Sequence, residues 1–248
     1  MATVIWGNDI AEVYDATSAA MFESSVLDPT IDLLVELAGE GEGEGAALEF
    51  AVGTGRVALA LAERGVDVKG IELSPHMVEQ LLAKPGSDSV PVTVGDMAST
   101  RVPGTFGLVY LVFNTIMNLT TQAEQVAVFE NAAAHLEPDG CFVVEVMVPQ
   151  LGRVVPGEPG RVFTLEDGHV GIETFDDLVG QVSWSHHWMD VDGRMVRHSA
   201  PYRYVWPSEL DLMAQIAGLQ LRSRWSDWRK TPFDSESRSQ VAVYARPS

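Results

Sequence analysis

The segment Leu48-Glu-Phe-Ala-Val-Gly-Thr-Gly55 is the strongest indicator of the fold, because a short apolar run leads directly into a glycine turn. A helical pattern over residues 57–64 follows the turn, and Gly65 closes it. Glycines at such a turn let a ligand approach the backbone, and the first turn of the next helix presents N–H groups to an anion. The stretch therefore predicts a β-turn-α unit with a ligand at the turn.

Strand and helix patterns alternate on both sides of this unit. The predicted strands cover residues 47–52, 66–71, 90–94, 106–113 and 141–148, and two more are expected at 219–225 and 240–245. Strands separated by helices at this interval predict an α/β fold with a doubly wound, Rossmann-like, mostly parallel seven-stranded sheet. A helix is expected before the first strand, with Asp28 as its cap and Pro29 in its first turn.

After residue 149 the sequence pattern changes: turn residues become frequent and separate stretches of period-two character. Such stretches occupy residues 181–189 and 198–206, with the hairpin signal Asp192-Gly193 between them. We expect an antiparallel meander over residues 161–205, inserted into the α/β domain. The predicted division is 1–150 for a ligand-binding α/β domain with N-terminal helices, 151–206 for the insert, and 207–248 for the helix and strands that complete the first domain.

The composition limits the partners of the protein. Sixteen Lys and Arg stand against 35 Asp and Glu, a formal net charge of −19. Such a field repels phosphate polymers and anionic lipid surfaces, so neither nucleic acid nor a membrane is an expected partner. The single cysteine, Cys141, cannot form an internal disulfide, and the first residues show no secretory pattern, so a cytoplasmic location is expected.

Acidic residues recur where predicted strands end, which is where open α/β sheets bind ligands. Glu49, Glu72 and Asp96 belong to three successive strand ends, and Glu72 is placed to accept hydrogen bonds from two ribose hydroxyls. Alone, Gly53-Thr-Gly55-Arg-Val-Ala58 also fits the dinucleotide fingerprint of an NAD-type oxidoreductase. The Glu49 carboxylate beside the turn favours a different ligand, because it repels a pyrophosphate and attracts an ammonium or sulfonium.

Three segments together resemble the successive motifs of class I S-adenosylmethionine-dependent methyltransferases. They are Leu48-Glu-Phe-Ala-Val-Gly-Thr-Gly55, Gly70-Ile-Glu-Leu-Ser-Pro-His-Met77 and Gly95-Asp-Met97. The resemblance covers the chain from about Tyr14 to Val148, and the later meander looks like that of small-molecule N-methyltransferases, such as those acting on amino sugars. It implies S-adenosyl-L-methionine as the cofactor and a small molecule as the methyl acceptor.

The resemblance also implies a role for each residue of the motifs. Glycines of the turn lie under the methionine portion, Glu49 holds its ammonium, Glu72 binds the ribose, Asp96 binds the adenine amino group, and Tyr14 closes over the methionine carboxylate. Ala51 stands where the family usually has glycine, a change expected to be small. The complete expected cofactor set is Tyr14, Glu49, Ala51, Gly53, Gly55, Glu72, Leu73, Asp96, Met97 and Phe113.

Methyl transfer to nitrogen or oxygen needs an acceptor held in line with the sulfonium and, for some acceptors, a base. The candidates for catalysis are His186 and His187 as bases and Asn114 as an orienting amide. Strand alternation predicts an aromatic wall for the acceptor, formed by Trp184, Trp188, Tyr202 and Tyr204. The same side chains also fit a sheet core or a homodimer contact. His76 and His135 are expected at the surface or as caps, and no spacing of His, Cys, Asp and Glu predicts a metal.

Two alternatives remain open at this point. One is the NAD-type oxidoreductase, and the other is a non-catalytic cofactor-binding or interaction protein whose meander serves assembly.

Overall fold

The computed structural model describes residues 7–39, 45–150, 158–191 and 193–247. The helices are α1 (Asn8–Ala11), α2 (Tyr14–Thr17), α3 (Ser24–Ala38), α4 (Arg56–Glu63), α5 (Pro75–Leu82), α6 (Gln122–His135) and α7 (Pro207–Ile216). The strands are β1 (Ala47–Phe50), β2 (Val68–Glu72), β3 (Val92–Val94), β4 (Phe106–Leu111), β5 (Leu136–Met147), β6 (Gly160–Glu166), β7 (His169–Asp177), β8 (Val182–Val191), β9 (Arg194–Arg203), β10 (Gln220–Trp225) and β11 (Ser239–Ala245).

Seven strands form one sheet in the order β10-β11-β5-β4-β1-β2-β3. The five strands from β1 to β5 are parallel, and β11 runs antiparallel to both β5 and β10. The predicted doubly wound, mostly parallel sheet is confirmed. Because the order reverses between β1 and β4, their carboxyl ends flank the crevice in which such sheets bind ligands.

The central strands are buried on both faces, as their unbroken apolar sequences require. All six residues of β4 are buried. One face packs against α6 and α7 through side chains that include Phe129, Phe142 and Leu210. The other face packs against α3 and α4 through Leu34 and Leu61. This double layer fixes the strand ends and therefore the positions of the loops that follow them.

Helix α3 differs from its prediction. It begins at Ser24, so Asp28 is not its cap, and Pro29 lies inside the helix rather than in its first turn. Proline has no N–H for the carbonyl four residues before it, here that of Ser25. That carbonyl instead accepts a hydrogen bond from Nη2 of Arg229 at 2.7 Å. A contact from the distant end of the chain thus compensates for the proline.

The expectation that His135 is a surface or capping residue is wrong. Its side chain is 2% exposed and packs edge-on against the ring of Phe50. Its Nε2 accepts a hydrogen bond from the backbone N–H of Val102 at 3.1 Å, and Nδ1 lies 2.8 Å from the carbonyl oxygen of Asn131. The imidazole is therefore a hydrogen-bonded part of the core.

The predicted meander is a four-stranded antiparallel sheet in the order β6-β7-β8-β9. Val191 of β8 pairs with Arg194 of β9, which agrees with a tight hairpin at the predicted turn. Asp192 of that turn and residues 151–157 of the predicted insert lie outside the described residues. No helix within the described ranges combines the length and apolar character needed to cross a membrane.

Candidate functional site

The glycine turn after β1 is built from left-handed backbone. The φ angles are +53° at Ala51, +58° at Gly53 and +84° at Gly55. A Cβ atom on Gly55 would lie 2.9 Å from Cγ of Leu81, so both conformation and space require glycine there. Ala51 adopts a conformation that glycine takes more easily, at a cost of about 1–2 kcal/mol. Alanine at position 51, where the resemblance implies glycine, therefore strains the backbone and is more than a small change in volume.

Glu72 at the end of β2 joins that strand to the glycine turn. Its side chain is 4% exposed, and Oε2 accepts a hydrogen bond from the N–H of Gly53 at 2.9 Å. Oε1 accepts from the N–H of Ser74 at 2.8 Å. Burial raises the pKa of Glu72, while the N–H groups of Ser74, Gly53 and Leu73 oppose the rise. A carboxylate has about four acceptor positions, so this one retains capacity for ribose hydroxyls.

Glu49 on β1 is a second buried carboxyl group beside the turn. It is 3% exposed, and its Oε2 accepts a hydrogen bond from the hydroxyl of Tyr110 at 3.0 Å. Burial raises the pKa of Glu49 to about 8, against the opposing effects of the Tyr110 hydroxyl and the Arg56 charge. An incoming ammonium would lower this pKa and stabilise the carboxylate, which suits the predicted contact with the methionine portion.

Arg56 is a site residue that the sequence analysis did not identify. It is the first residue of α4, and its guanidinium lies 5.3 Å from the centre of the Phe113 ring. Its charge also lowers the pKa of both Glu49 and Tyr14. The turn thus has a cation beside its two acids, which is a charge set suited to a zwitterion. No spacing rule identifies Arg56, because its role comes from interactions with Glu49, Tyr14 and Phe113 on other segments of the chain.

The N-terminal segment, which contains α1 and α2, contacts the glycine turn through Asp15. Oδ1 of Asp15 accepts a hydrogen bond from the Thr54 hydroxyl at 2.6 Å, and its other oxygen forms an ion pair with Lys84. The Lys84 ammonium also donates to the carbonyl oxygen of Thr54 at 2.7 Å. Tyr14, next to Asp15, is held within the electrostatic influence of Arg56 and Glu72, and burial raises its pKa. Asp15 and Lys84 were not singled out from the sequence.

Asp96 and Met97 follow β3, as expected from the third motif. Oδ1 of Asp96 accepts a hydrogen bond from the N–H of Ala98 at 2.8 Å, which forms a tight turn. The Met97 side chain is buried in the core, and its carbonyl oxygen accepts from Nδ2 of Asn131 at 2.6 Å. These two hydrogen bonds hold the backbone at Met97 in place, and Asp96 remains at the end of the strand, as predicted.

Strand β4 ends at Leu111, two residues earlier than predicted. It ends there because Phe113 and Asn114 adopt left-handed backbone, with φ of +56° and +62°. The N–H of Phe113 donates to Oε2 of Glu145 at 2.8 Å, and Oδ1 of Asn114 accepts from the N–H of Met147 at 2.6 Å. The Asn114 amide therefore ties the loop to β5, and its oxygen is already engaged in the described structure. The Phe113 ring is left 37% exposed beside Arg56.

Strand register divides the predicted acceptor wall between the two faces of the second sheet. Paired residues on adjacent antiparallel strands share a face. Tyr202 is opposite Ser183, and His187 is opposite His198. Ser183 and Ala200 on this face are 1% and 0% exposed, and Tyr202 packs against the core of the large sheet. We call this the inner face.

The other face, the outer face, carries the remaining candidates. The rings of Trp184 and His186 are stacked with 6.3 Å between centres, and Trp188 lies on the other side of His186. Nδ1 of His186 lies 2.9 Å from the Ser199 hydroxyl. Because side chains alternate along β8, His186 and His187 do not line one pocket, and Trp184 and Trp188 are not brought to Tyr202.

Tyr202 and Tyr204 also have different surroundings. Burial, followed by the neighbouring Tyr14, raises the pKa of Tyr202 to about 12, so these two phenols lie close enough to interact electrostatically. Tyr204 is 5% exposed and belongs to the core cluster under α6 and α7. Of the expected substrate residues, Tyr202 is the one that the structure places with the cofactor candidates.

Comparisons with known proteins agree with this geometry. Residues 47–140 match the family described as "Methyltransferase domain". The CcbJ methyltransferase from Streptomyces caelestis is 33% identical, with 99% of each chain covered and a TM-score of 0.82. Cypemycin N-terminal methyltransferase of a Streptomyces species is 26% identical over 94% of this chain and 98% of its own. A dTDP-3-amino-3,6-dideoxy-alpha-D-glucopyranose N,N-dimethyltransferase of Streptomyces fradiae is 31% identical over 56% of this chain and 54% of its own.

Proposed function

The chain belongs to the class I S-adenosylmethionine-dependent methyltransferases, and we propose that its acceptor is a small molecule methylated at an amine nitrogen. Family membership sets aside the NAD-type oxidoreductase and the non-catalytic alternative. Oxygen as the acceptor atom was an equal expectation from the sequence. Nitrogen is favoured because two relatives, the cypemycin enzyme and the amino-sugar enzyme, are both named for N-methylation.

The cofactor site within this proposal rests chiefly on the two buried carboxyl groups beside the glycine turn. Glu49 and Glu72 are 3% and 4% exposed, and the guanidinium of Arg56 is close enough to lower the pKa of Glu49. This donor set fits S-adenosyl-L-methionine, which supplies a methyl group activated on a sulfonium. Glu72 would hold the ribose, Glu49 the ammonium, and Arg56 with Tyr14 the methionine carboxylate, with Gly53 and Gly55 beneath them.

The remaining cofactor contacts complete this proposed site. Asp96 and Met97 would meet the adenine, and Leu73 and Phe113 would flank the cofactor from the second and fourth strand ends. Ala51 would shape the turn beneath it. Asn114 would act by positioning the loop after β4, since its side-chain oxygen is bonded to Met147.

The two faces of the second sheet would serve different purposes. The inner face, with Tyr202 near Tyr14, would cover the acceptor. The outer face, with Trp184, His186 and Trp188, would form a homodimer contact. This division keeps residues 1–150 and 207–248 as the cofactor-binding unit and 151–206 as the insert that covers the substrate.

The proposal also includes the expected surroundings of the enzyme. A net charge of −19 disfavours a nucleic acid substrate, and one cysteine without a possible internal partner agrees with a reducing cytoplasm.

Matched acceptor pairs test the choice of nitrogen. Purified protein and S-adenosylmethionine are incubated with a dTDP-linked 3-amino sugar or its 3-hydroxy counterpart, and with a short peptide bearing a free or an acetylated N-terminus. Mass spectrometry should show added methyl groups on at least one amine and none on its matched control. Methylation of a hydroxy counterpart, or of no amine, would contradict the proposal.

A further inference from the structure

We propose that Ser185, His187 and His169 form a proton relay on the inner face of the second sheet, which removes the proton of the bound acceptor amine. This inference rests on the proposed function, because an amine that binds as an ammonium must lose a proton before its lone pair can attack. In a site closed to water, that proton needs a route through the protein.

A continuous chain of hydrogen-bonding atoms supports the relay. The hydroxyl oxygen of Ser185 lies 2.8 Å from Nε2 of His187. Nδ1 of His187 lies 2.9 Å from Nε2 of His169, and the two rings are stacked with 5.2 Å between centres. One proton must occupy each of these two gaps, so the three groups are coupled through their tautomers.

The direction of the chain follows from the strand register. Tyr202, beside Tyr14, is paired with Ser183, and Ser185 is the next residue of β8 on the same inner face. His187 follows on that face, and His169 on β7 is paired with Met189 one further step along. Each step of two residues covers about 6.7 Å of strand. The chain therefore starts next to the tyrosines of the cofactor site and leads away from it.

The surroundings keep His187 uncharged. Burial, followed by the nearby His169, His198 and His186, lowers the pKa of His187 to about 4. The inner face also carries the ion pair of Arg161 with Glu173, and Glu173 is paired with Ser185. A neutral imidazole does not store a proton at neutral pH, so it suits transfer along the chain rather than retention.

One proton moves at each step of the relay, from the acceptor to solvent. The acceptor ammonium gives a proton to the Ser185 oxygen while the Ser185 hydroxyl proton passes to Nε2 of His187. The proton on Nδ1 of His187 passes to Nε2 of His169, which becomes an imidazolium and releases its Nδ1 proton to solvent. The acceptor nitrogen is left with the lone pair that forms the new bond to carbon.

No metal is needed to explain these histidines. Within the described parts of the chain, no group of His, Cys, Asp and Glu has metal-binding geometry. The nitrogen of His187 that faces His169 is occupied by their hydrogen bond. Its other nitrogen is occupied by the Ser185 hydroxyl.

The relay is tested by replacing its residues and measuring pH–rate profiles. The substrate is the amine that the acceptor screen shows to be methylated. His187→Gln should lower kcat by about tenfold to 100-fold near pH 6.5, with KM changed by less than about twofold. The loss should shrink as the pH approaches the pKa of the amine, because more acceptor then arrives uncharged. Ser185→Ala and His169→Asn break the chain at its ends and should give the same pattern if His187→Gln does not fold.

His76→Gln is the matched control, since its half-exposed side chain lies on α5, outside the second sheet, and the variant should leave the profile unchanged. Calorimetric titration with S-adenosylhomocysteine should give wild-type affinity for all four variants. Profiles of the relay variants that parallel the wild type would overturn the relay while leaving the proposed function intact. If the wild type methylates no amine, the proposed function and the relay both fail.

Discussion

The carboxylate of Glu72 accepts a hydrogen bond from the backbone N–H of Gly53, with 2.9 Å between Oε2 and the nitrogen. The residue expected to bind the ribose therefore also fixes the glycine turn on which the methionine portion would lie. In the proposed site, cofactor binding and the shape of the turn would therefore both depend on the buried side chain of Glu72.

Replacing Glu72 should affect both properties together. In Glu72→Gln the amide nitrogen faces a backbone N–H, which leaves a buried donor without an acceptor. We expect a loss of about 1–3 kcal/mol in the free energy of unfolding and a Kd for S-adenosylhomocysteine at least about tenfold higher. Chemical denaturation and calorimetry measure the two effects. Glu79→Gln, on a carboxylate side chain 68% exposed, is the control that should change neither.

Ala51 offers a test of backbone strain. Its φ of +53° favours glycine, so Ala51→Gly should raise the free energy of unfolding, by about 0.5–1 kcal/mol after the extra entropy of the unfolded chain is subtracted. Ala83→Gly provides the comparison, because Ala83 has an ordinary φ of −76° and should lose stability. A decrease of similar size in both variants would show that Ala51 is not strained.

Glu49 should make stability depend on pH. Its folded-state pKa of about 8 lies above the ordinary value of 4.5, so the folded protein holds this proton more tightly than the unfolded chain does. The stabilisation is complete below about pH 4.5 and is lost as the pH rises toward 8. The free energy of unfolding of the wild type should therefore fall, relative to Glu49→Gln, across this range in denaturant titrations. A constant difference would mean that Glu49 ionises normally.

The same carboxyl group should couple cofactor binding to proton release. An ammonium beside Glu49 favours the carboxylate, so S-adenosylhomocysteine binding should release a proton near pH 7. Calorimetry in two buffers of different ionisation enthalpy detects this release as a difference in apparent binding enthalpy. In Glu49→Gln the difference should disappear; its persistence would assign the proton to another group.

The contact of Asp15 with Thr54 and Lys84 should control how fast the cofactor leaves. Asp15→Asn removes the ion pair, so the N-terminal segment should open more easily. We expect S-adenosylhomocysteine to dissociate about threefold to tenfold faster in stopped-flow measurements, which corresponds to roughly 1 kcal/mol. Glu63→Gln at the exposed end of α4 should leave the rate unchanged. Equal rates in both variants would show that this contact does not hold the segment closed.

Much of the fold could be predicted because its signals are local. Apolar runs and helix caps depend on adjacent residues, and Ser74 and Thr121 do cap α5 and α6 through their side chains. The strand ends could be aligned because parallel strands bring their carboxyl ends to one edge of a sheet. The same reasoning predicted that Glu49 and Glu72 lie beside the glycine turn, where both side chains are buried.

The rest depends on contacts between distant residues, which periodicity does not encode. His135 lies at a helix end that the sheet covers, so its buried position depends on Phe50 and Val102 from other elements. Arg56 contacts the ring of Phe113, and His169 lies within hydrogen-bonding distance of His187. Each contact joins residues of different segments. Alternation did show that neighbouring residues of β8 face opposite ways. It did not show which face packs against the large sheet, and the packing of Tyr202 decides that.

The cofactor site is tested most sharply by calorimetric titration of the purified protein with S-adenosylmethionine, S-adenosylhomocysteine and NAD in parallel. The proposed site predicts micromolar binding of the first two ligands, loss of that binding in Glu72→Ala, and no heat of binding with NAD. Binding of NAD alone, or equal affinity of the Glu72→Ala variant for S-adenosylhomocysteine, would contradict the cofactor site described for this protein.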